Sequence, residues 1–334
     1  MAVQFLDWAG RRVAFDVRGA GPMLVAPAWW VSHLEADAAE PRYARFWQGV
    51  GEGCTLVRYD RLGVGLSDRE LEPDDVTLDA ELALLRALLD RIDAERVTLV
   101  GGSSGGCTAI AFAARHPERV ERLLLYGAYA RGADVAPPDV REAVLAAIRS
   151  HWGLGSRLLA QILTGGEVDD GFARLQRESA DGETAARLLE FVYGVDVSDD
   201  VSRVEAPAVV VHRRSDRAVP YALGRALAAA LPHAEFVPVA GSAHLPWYGD
   251  GDAVVRAWRG RGTTPEDAAD GDRLSARERE VLGLVARGLT DQEIAEQLVL
   301  SPHTVHRHIA NVRRKLGSTS RSAAVAEAGR LGLL

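Results

Sequence analysis

The sequence predicts two folded parts, a large, mainly parallel α/β domain and a small domain made only of helices. Up to about residue 258, short apolar runs alternate with longer amphipathic stretches, which is typical of a parallel sheet covered on both faces. The segment 259–272 is polar and rich in glycine, as a linker is. From 273 to 334 only helix signals follow. We therefore expect domains at 1–258 and 273–334.

Six apolar runs in the first domain have the length of buried strands. They are Met23–Ala26, Thr55–Val57, Val97–Val100, Leu123–Tyr126, Ala208–Val211 and Glu235–Val239. Helical spacing lies between them, at Leu78–Ile92, Thr108–Arg115 and Tyr221–Leu231. Between about 131 and 200 the pattern is helical without a strand, which predicts a helical lid. Active groups in such sheets gather at the carboxyl ends of the strands.

The charge is unevenly distributed along the chain. The 334 residues carry a net −8, yet 273–334 has ten Lys or Arg against six Asp or Glu, which leaves +4 there and −12 elsewhere. A basic segment on an acidic body indicates a polyanionic partner.

Several classes of protein are excluded at this stage. No apolar run has the length of a membrane span and the start lacks a signal-peptide pattern, so we expect a cytoplasmic protein. Cys54 and Cys107 are the two cysteines, and the nine histidines lack zinc-ligand spacing. We therefore expect no disulfide framework, no metal and no cofactor.

The segment LVGGSSGGCTA, 99–109, contains the Gly-x-Ser-x-Gly pattern of a nucleophilic serine in two frames, centred on Ser103 or on Ser104. Such a serine occupies a sharp turn directly after a buried strand. Because the predicted strand ends at Val100, strand geometry favours Ser103. The backbone N–H of Ser104 is then expected to be one donor of the oxyanion hole.

A nucleophilic serine needs a base, and an acid that orients the base. Asp216 follows a predicted strand in VVVHRRSDRAVP, and His244 follows another in VAGSAHLPW. Each residue alone is more often structural than catalytic. In the order Ser, Asp, His, each after a strand, they match one hydrolase architecture. We therefore predict Ser103 as nucleophile, His244 as general base and Asp216 as its orienting carboxylate.

These motifs resemble the α/β-hydrolase fold over residues 1–258. LVGGSSGG is similar to the elbow of that family, RSDRAVP to its acid turn and GSAHLPW to its histidine loop, while VRYDRLGVGLSD and ARHPERV match two further segments. Such hydrolases usually have His-Gly after the third strand, where this chain has Pro27, Ala28 and Trp29. The resemblance implies that the backbone N–H of Trp29 is the second oxyanion donor. The stiffer loop predicts slow turnover.

Residues 274–334 carry start and stop signals for four short helices. Ser275–Glu278 and Thr290–Glu293 are capping boxes, and Gly288 ends the first helix. Ser301-Pro302 opens the third helix, which ends at Gly317, and a fourth starts near Ser320. Short helices joined by tight turns predict a helix-turn-helix module.

The third helix has two distinct faces. Val305, Ile309, Val312 and Leu316 recur at helical spacing and predict a buried stripe. The opposite face carries His303, Arg307, Ala310 and Arg314, with His306 and Arg313 beside them. A basic face around a small residue suits entry into the major groove, and a merely solvated face is the alternative.

The tail, from LSAREREVLGLVARGLTDQEIAEQLVLSPHTVHRHIANVRRKLG to SRSAAVAEAGRLGLL, resembles the LuxR-type DNA-binding domain along its whole length. The resemblance implies that His306, Arg307 and Ala310 face bases, that Thr304, Asn311 and Arg314 lie near phosphates, and that the fourth helix mediates dimerisation. Double-stranded DNA and a second copy of the chain are the implied partners. The family often has Lys where His306 stands and Asn where Asp291 stands, so we expect Asp291 to repel phosphate.

Together these features predict a one-component transcription regulator. Its hydrolase-like domain would sense a small ester-like, lactone-like or apolar molecule, and the sequence leaves open whether the triad hydrolyses this molecule or only binds it. Two alternatives stay open. In one, the chain is a serine hydrolase whose tail serves only dimerisation or localisation. In the other, it is an interaction module that never touches DNA.

Overall fold

The structure is a computed structural model that describes residues 3–259, 276–298, 302–316, 318 and 320–330. The chain divides into two compact units, Met1–Gly262 and Thr263–Leu334. The predicted linker, 259–272, lies outside the described residues except for Arg259. Among the helices that the structure describes, none is long and apolar enough to cross a membrane.

The first unit is built on one eight-stranded sheet in the order β1-β2-β4-β3-β5-β6-β7-β8. β1 pairs antiparallel with β2, and β2 antiparallel with β4; all other neighbours are parallel. The predicted mainly parallel sheet is therefore confirmed. The strands are β1 (Val3–Trp8), β2 (Arg11–Gly19), β3 (Met23–Ala26), β4 (Thr55–Tyr59), β5 (Val97–Gly102), β6 (Val120–Tyr126), β7 (Ala208–Arg213) and β8 (Ala234–Val239).

All six predicted strands are present, and β1 and β2 are additional. They form a hairpin whose turn, Ala9 and Gly10, has positive φ at both residues (53° and 77°). Half of the residues of β1 are exposed, and Leu6 is its one buried residue. An edge strand of this kind lacks the continuous apolar run that marks a strand covered on both faces.

Helices cover both faces of the sheet. On one face α2 and α11 pack over an apolar cluster that includes Phe46 and Trp258; on the other, α3 and α4 pack over the largest cluster. The helices of this unit are α1 (Leu34–Ala39), α2 (Pro41–Gly51), α3 (Leu78–Arg91), α4 (Ser104–Arg115), α5 (Pro138–Ser150), α6 (Trp152–Leu163), α7 (Asp170–Ser179), α8 (Gly182–Gly194), α9 (Ser198–Val201), α10 (Tyr221–Ala230) and α11 (Gly251–Trp258).

Helices α5 to α9 all lie between β6 and β7, in the interval predicted as a lid. The end of α6 is tied to the loop that follows β8, because the carbonyl of Leu163 accepts hydrogen bonds from the backbone N–H of His244 (2.8 Å) and of Leu245 (3.2 Å). These bonds bring the lid against the carboxyl end of the sheet.

The second unit is helical: α12 (Ala276–Ala286), α13 (Asp291–Leu298), α14 (Pro302–Lys315) and α15 (Arg321–Arg330). Gly288 follows α12 at φ 87°. In the second capping box the backbone N–H of Thr290 donates to Glu293 at 2.7 Å, and that of Glu293 to the Thr290 hydroxyl at 3.3 Å. The predicted stripe of α14 lies inward: Val305 and Val312 are buried, and Ile309 and Leu316 pack against the same core.

Candidate functional site

Ser103 lies at the turn between β5 and α4, with φ 50° and ψ −128°. This backbone region is strained for a residue with a side chain. Ser104 is instead the first residue of α4 and is fully buried, and its hydroxyl donates to the carbonyl of Trp29 at 2.8 Å. Of the two serine frames, the structure therefore puts Ser103 at the strained turn between strand and helix.

The glycines around Ser103 are required by close packing. A Cβ on Gly102 would lie 2.3 Å from the ring of Trp29, and one on Gly106 would lie 2.5 Å from Cβ of Ala128. Neither distance is compatible with a side chain. The pattern around Ser103 thus reflects how tightly the turn is enclosed.

Asp216 and His244 lie in the turns after β7 and β8. Nδ1 of His244 is 2.8 Å from Oδ2 of Asp216. Oδ1 of Asp216 accepts from the backbone N–H groups of Ala218 (2.9 Å) and Val219 (3.1 Å). Burial raises the pKa of Asp216, but the nearby His244 and these hydrogen bonds outweigh it, so the pKa is lower than usual. The carboxylate of Asp216 therefore stays ionised beside the imidazole of His244.

Ser103 and His244 line the same cavity, of about 90 Å³. Its wall comes mainly from apolar side chains of the lid and of the acid turn. The lining residues include Val135, Leu159, Ile162, Leu163, Leu189, Val192, Val219 and Leu245. A cavity of this composition suits an apolar molecule with one polar reacting group.

The loop that carries Trp29 is held firmly even though it lacks glycine. The guanidinium of Arg61 donates to the carbonyl of Ala28 at 2.6 Å. Asp60 accepts from the hydroxyl of Ser32 (2.6 Å) through Oδ1 and from the backbone N–H of Leu34 (3.1 Å) through Oδ2. Together with the Ser104 hydroxyl bond to Trp29, these contacts fix the backbone beside Ser103.

A second histidine, His212, faces the acid and was not predicted from the sequence. Its Nε2 is 3.5 Å from Oδ2 of Asp216 and 3.1 Å from the carbonyl of Val219. Burial lowers the pKa of His212, so the ring is neutral beside the carboxylate. Its position four residues before Asp216, at the end of an apolar strand, was the signal available in the sequence.

Two of the six predicted DNA-contacting residues can be located with their side chains. His306 and Ala310 are exposed on α14; Ala310 lies opposite the buried Val305 and Val312, and His306 lies beside that exposed face. Thr304, Arg307, Asn311 and Arg314 belong to the same helix, but their side chains lie outside the described residues.

Asp291, expected to repel phosphate, is engaged within the second unit. Its Oδ1 accepts from the guanidinium of Arg321, and its Oδ2 lies 3.6 Å from Nδ1 of His306. Arg321 offsets the charge of this carboxylate, which reduces the expected repulsion.

Two family models match the chain. The model of the α/β hydrolase fold matches residues 29–249, and the model of luxR-family bacterial regulatory proteins matches residues 272–328. The chain belongs to the α/β hydrolase fold family, and it carries a LuxR-type helix-turn-helix DNA-binding domain at its carboxyl end. It thus joins a hydrolase-fold domain to the DNA-binding domain of a regulator.

Each part has its own relatives. A 2-hydroxy-6-oxononadienedioate/2-hydroxy-6-oxononatrienedioate hydrolase of Paraburkholderia phymatum is 28% identical over 243 residues, which is 68% of this chain and 79% of that protein. A putative HTH-type transcriptional regulator of Mycobacterium bovis is 42% identical over 81 residues, 24% of this chain but 9% of that protein. The crystal structure of the enol-lactonase from Burkholderia xenovorans has the same fold, with a TM-score of 0.63, 24% identity and coverage of 76% of this chain and 97% of that one.

Proposed function

We propose that this protein is a one-component transcription regulator whose first domain binds and hydrolyses a small ester or lactone. The observation that carries the proposal is the Asp216–His244 hydrogen bond beside Ser103, in a chain that also has a LuxR-type DNA-binding domain. The apolar walls of the Ser103 cavity favour an uncharged ligand with a short acyl chain or ring. Binding beneath the lid would change DNA affinity through a two-state coupling.

The chemistry would begin at Ser103. Because Nδ1 of His244 is engaged by Asp216, its Nε2 is left to accept the proton of the Ser103 hydroxyl. The serine oxygen attacks the carbonyl carbon, and the carbonyl oxygen becomes an anion held by the backbone N–H groups of Trp29 and Ser104. His244 then returns the proton to the departing alkoxide. Water, activated by the same histidine, hydrolyses the acyl-enzyme.

The strained backbone supports the same assignment. Strain of about 1–3 kcal/mol at one residue persists only where the surroundings impose it, and it is common at active sites. Here the backbone of Ser103 is held on both sides, because its N–H donates to the carbonyl of Tyr126 and its carbonyl accepts from the N–H of Gly106, both at 3.0 Å. A serine in a purely structural turn has no need of such a conformation.

Mass spectrometry of the intact chain tests the catalytic part. The protein is incubated with short p-nitrophenyl esters and with γ- and δ-lactones, and the masses of the chain and of the ligands are measured. We expect a hydrolysed product, or an acyl adduct that maps to Ser103 and is absent from Ser103→Ala. Unchanged ligand and an unmodified chain across the whole series would contradict hydrolysis.

The regulatory part needs a separate measurement. Footprinting at the protein's own promoter identifies an operator. The affinity for that operator is then measured with and without each ester or lactone that the protein hydrolyses. We expect ligand to change the affinity in the wild type, and affinity to fall steeply as salt rises. Unchanged operator affinity with every ligand that is hydrolysed would contradict the coupling.

A second candidate function is an esterase whose tail is an accessory for dimerisation. This candidate rests on the held acid–base pair alone, which is needed for hydrolysis and requires no binding to DNA. In that case the chain hydrolyses esters, forms dimers, and gives the same weak affinity for promoter and random DNA. Specific operator binding excludes this candidate.

A further inference from the structure

A second cavity of about 60 Å³ lies beside the Ser103 cavity. The two share Trp29, Trp30 and Leu245 in their walls, so they adjoin across the loop that carries Trp29. A water molecule needs roughly 10–15 Å³ of such a cavity, so the second cavity has room for a group of roughly four non-hydrogen atoms. Its other walls include Asp37, Tyr43, Trp47, Arg58 and Trp247.

Two buried polar groups on residues of this wall have no hydrogen-bond partner among the described residues, the indole N–H of Trp47 and the hydroxyl of Tyr59. The indole N–H of Trp47 is buried and makes no hydrogen bond with any residue that the structure describes. The ring is 5% exposed and is held by Trp29, at 5.7 Å between centroids, and by Phe46, at 5.4 Å. A buried donor without an acceptor is costly, and an acceptor in the cavity would remove that cost.

The charges around the cavity argue against an ionised occupant. The guanidinium of Arg58 is already paired with Asp16, at 2.6 Å and 3.2 Å. Burial raises the pKa of Asp37 to about 7, so this carboxyl group is largely protonated below neutral pH and repels an anion above it. Neither residue supplies free positive charge for a carboxylate.

We propose that this cavity binds a short, uncharged hydrogen-bond acceptor, a carbonyl group above all, to which the indole N–H of Trp47 donates. The ester or lactone group of the same ligand lies at Ser103, on the other side of Trp29. The placement of the ester or lactone at Ser103 rests on the proposed function. Binding of an acceptor in the second cavity does not, because such binding requires no turnover.

Indole N–H resonances of the ¹⁵N-labelled full chain test the proposal directly. The seven tryptophans give seven such signals, and the signal missing from Trp47→Phe belongs to Trp47. If that variant does not fold, the six other Trp→Phe variants assign the same signal by elimination. Trp8→Phe, on the β1 hairpin away from this cavity, is the matched control.

Three probes of nearly equal shape are titrated at pH 6 and pH 8: acetone, 2-methylpropene, in which CH₂ replaces the carbonyl oxygen, and acetate. We expect acetone to shift the Trp47 signal downfield and saturably, also in Trp8→Phe, and the other two probes to leave it in place. An unmoved Trp47 signal with acetone, or an equal shift with 2-methylpropene or acetate, would overturn the proposal. If acetone binds but no ester is hydrolysed, the cavity assignment stands and the proposed chemistry fails.

Discussion

Asp216 and His244 lie in the turns after two neighbouring strands, β7 and β8, and a 2.8 Å hydrogen bond joins Oδ2 of the acid to Nδ1 of the imidazole. Parallel pairing of these strands brings both turns to the same edge of the sheet. The acid is buried and receives two backbone N–H bonds on its other oxygen. Its orientation is therefore set by the turn itself, before any ligand binds.

The first prediction concerns this acid. Asp216→Asn keeps the shape of the side chain but removes the charge that holds His244 in the required tautomer. We expect kcat for ester hydrolysis to fall by about 10⁴, as in other triads. Asp199→Asn, at an exposed position on α9, is the control and should leave kcat unchanged. A loss below tenfold in Asp216→Asn would show that the acid does not orient the base.

The second prediction separates the two serines. Ser103→Ala should abolish turnover and acylation while the chain stays folded. Ser104→Ala keeps the nucleophile but leaves the Trp29 carbonyl without its 2.8 Å partner, so we expect a loss of about 1 kcal/mol in the free energy of unfolding. Ester kinetics and urea unfolding measure the two effects. Acylation that persists in Ser103→Ala but not in Ser104→Ala would reverse the assignment.

The third prediction concerns the packing of Trp29 against the elbow. In Gly102→Ala the new methyl group would lie 2.3 Å from the indole ring, so we expect the free energy of unfolding to fall by about 3 kcal/mol. Gly194→Ala is the matched control, because a Cβ there meets nothing within 4 Å. It should be neutral or stabilising by roughly 0.4–1 kcal/mol. Equal urea midpoints for the two variants would contradict the tight contact.

How far the sequence predicts this molecule depends on the range of each contact. Strands β3 to β8 were predicted because each contains a short, mostly apolar run. Ser103, Asp216 and His244 were predicted because each follows one of these strands. The β1–β2 hairpin was missed because its exposed edge carries a weak apolar signal. His212 and the cavity beside Trp47 were missed because their environment depends on packing between distant segments, which spacing along the chain does not encode.

The fourth prediction follows from the raised pKa of Asp37, about 7 against 3.8 for an ordinary aspartate. The folded chain holds this proton more tightly than the unfolded chain does. Stability contributed by the neutral form is therefore fully present below about pH 4, declines as pH rises, and is lost above about pH 7. The full loss is at most about 4 kcal/mol, since one pKa unit corresponds to 1.36 kcal/mol.

Asp37→Asn tests that pH dependence because it is neutral at every pH. We expect it to unfold at a higher urea concentration than the wild type at pH 8, and at a similar concentration at pH 4.5. Asp199→Asn serves again as an exposed control, with the same small difference at both pH values. A stability difference between Asp37→Asn and the wild type that does not change with pH would contradict the raised pKa.

The fifth prediction concerns His306 on α14, whose side chain is 75% exposed and 3.6 Å from Asp291. If this position meets DNA, a permanent positive charge there should strengthen binding, because it neutralises phosphate and releases counterions. His306→Lys is therefore expected to bind the operator more tightly at pH 8, and the slope of log K against log salt should steepen by up to about 0.9. Fluorescence anisotropy between 50 and 200 mM salt gives both quantities.

The control for His306→Lys adds charge elsewhere in the same unit. Glu280→Gln, on the exposed part of α12, changes the net charge by the same amount without placing a cation on α14. It should alter affinity less and leave the salt slope nearly unchanged, because counterion release counts contacts rather than total charge. Equal gains in the two variants would mean that α14 attracts DNA only through the overall field of the unit, and that His306 does not lie in the groove.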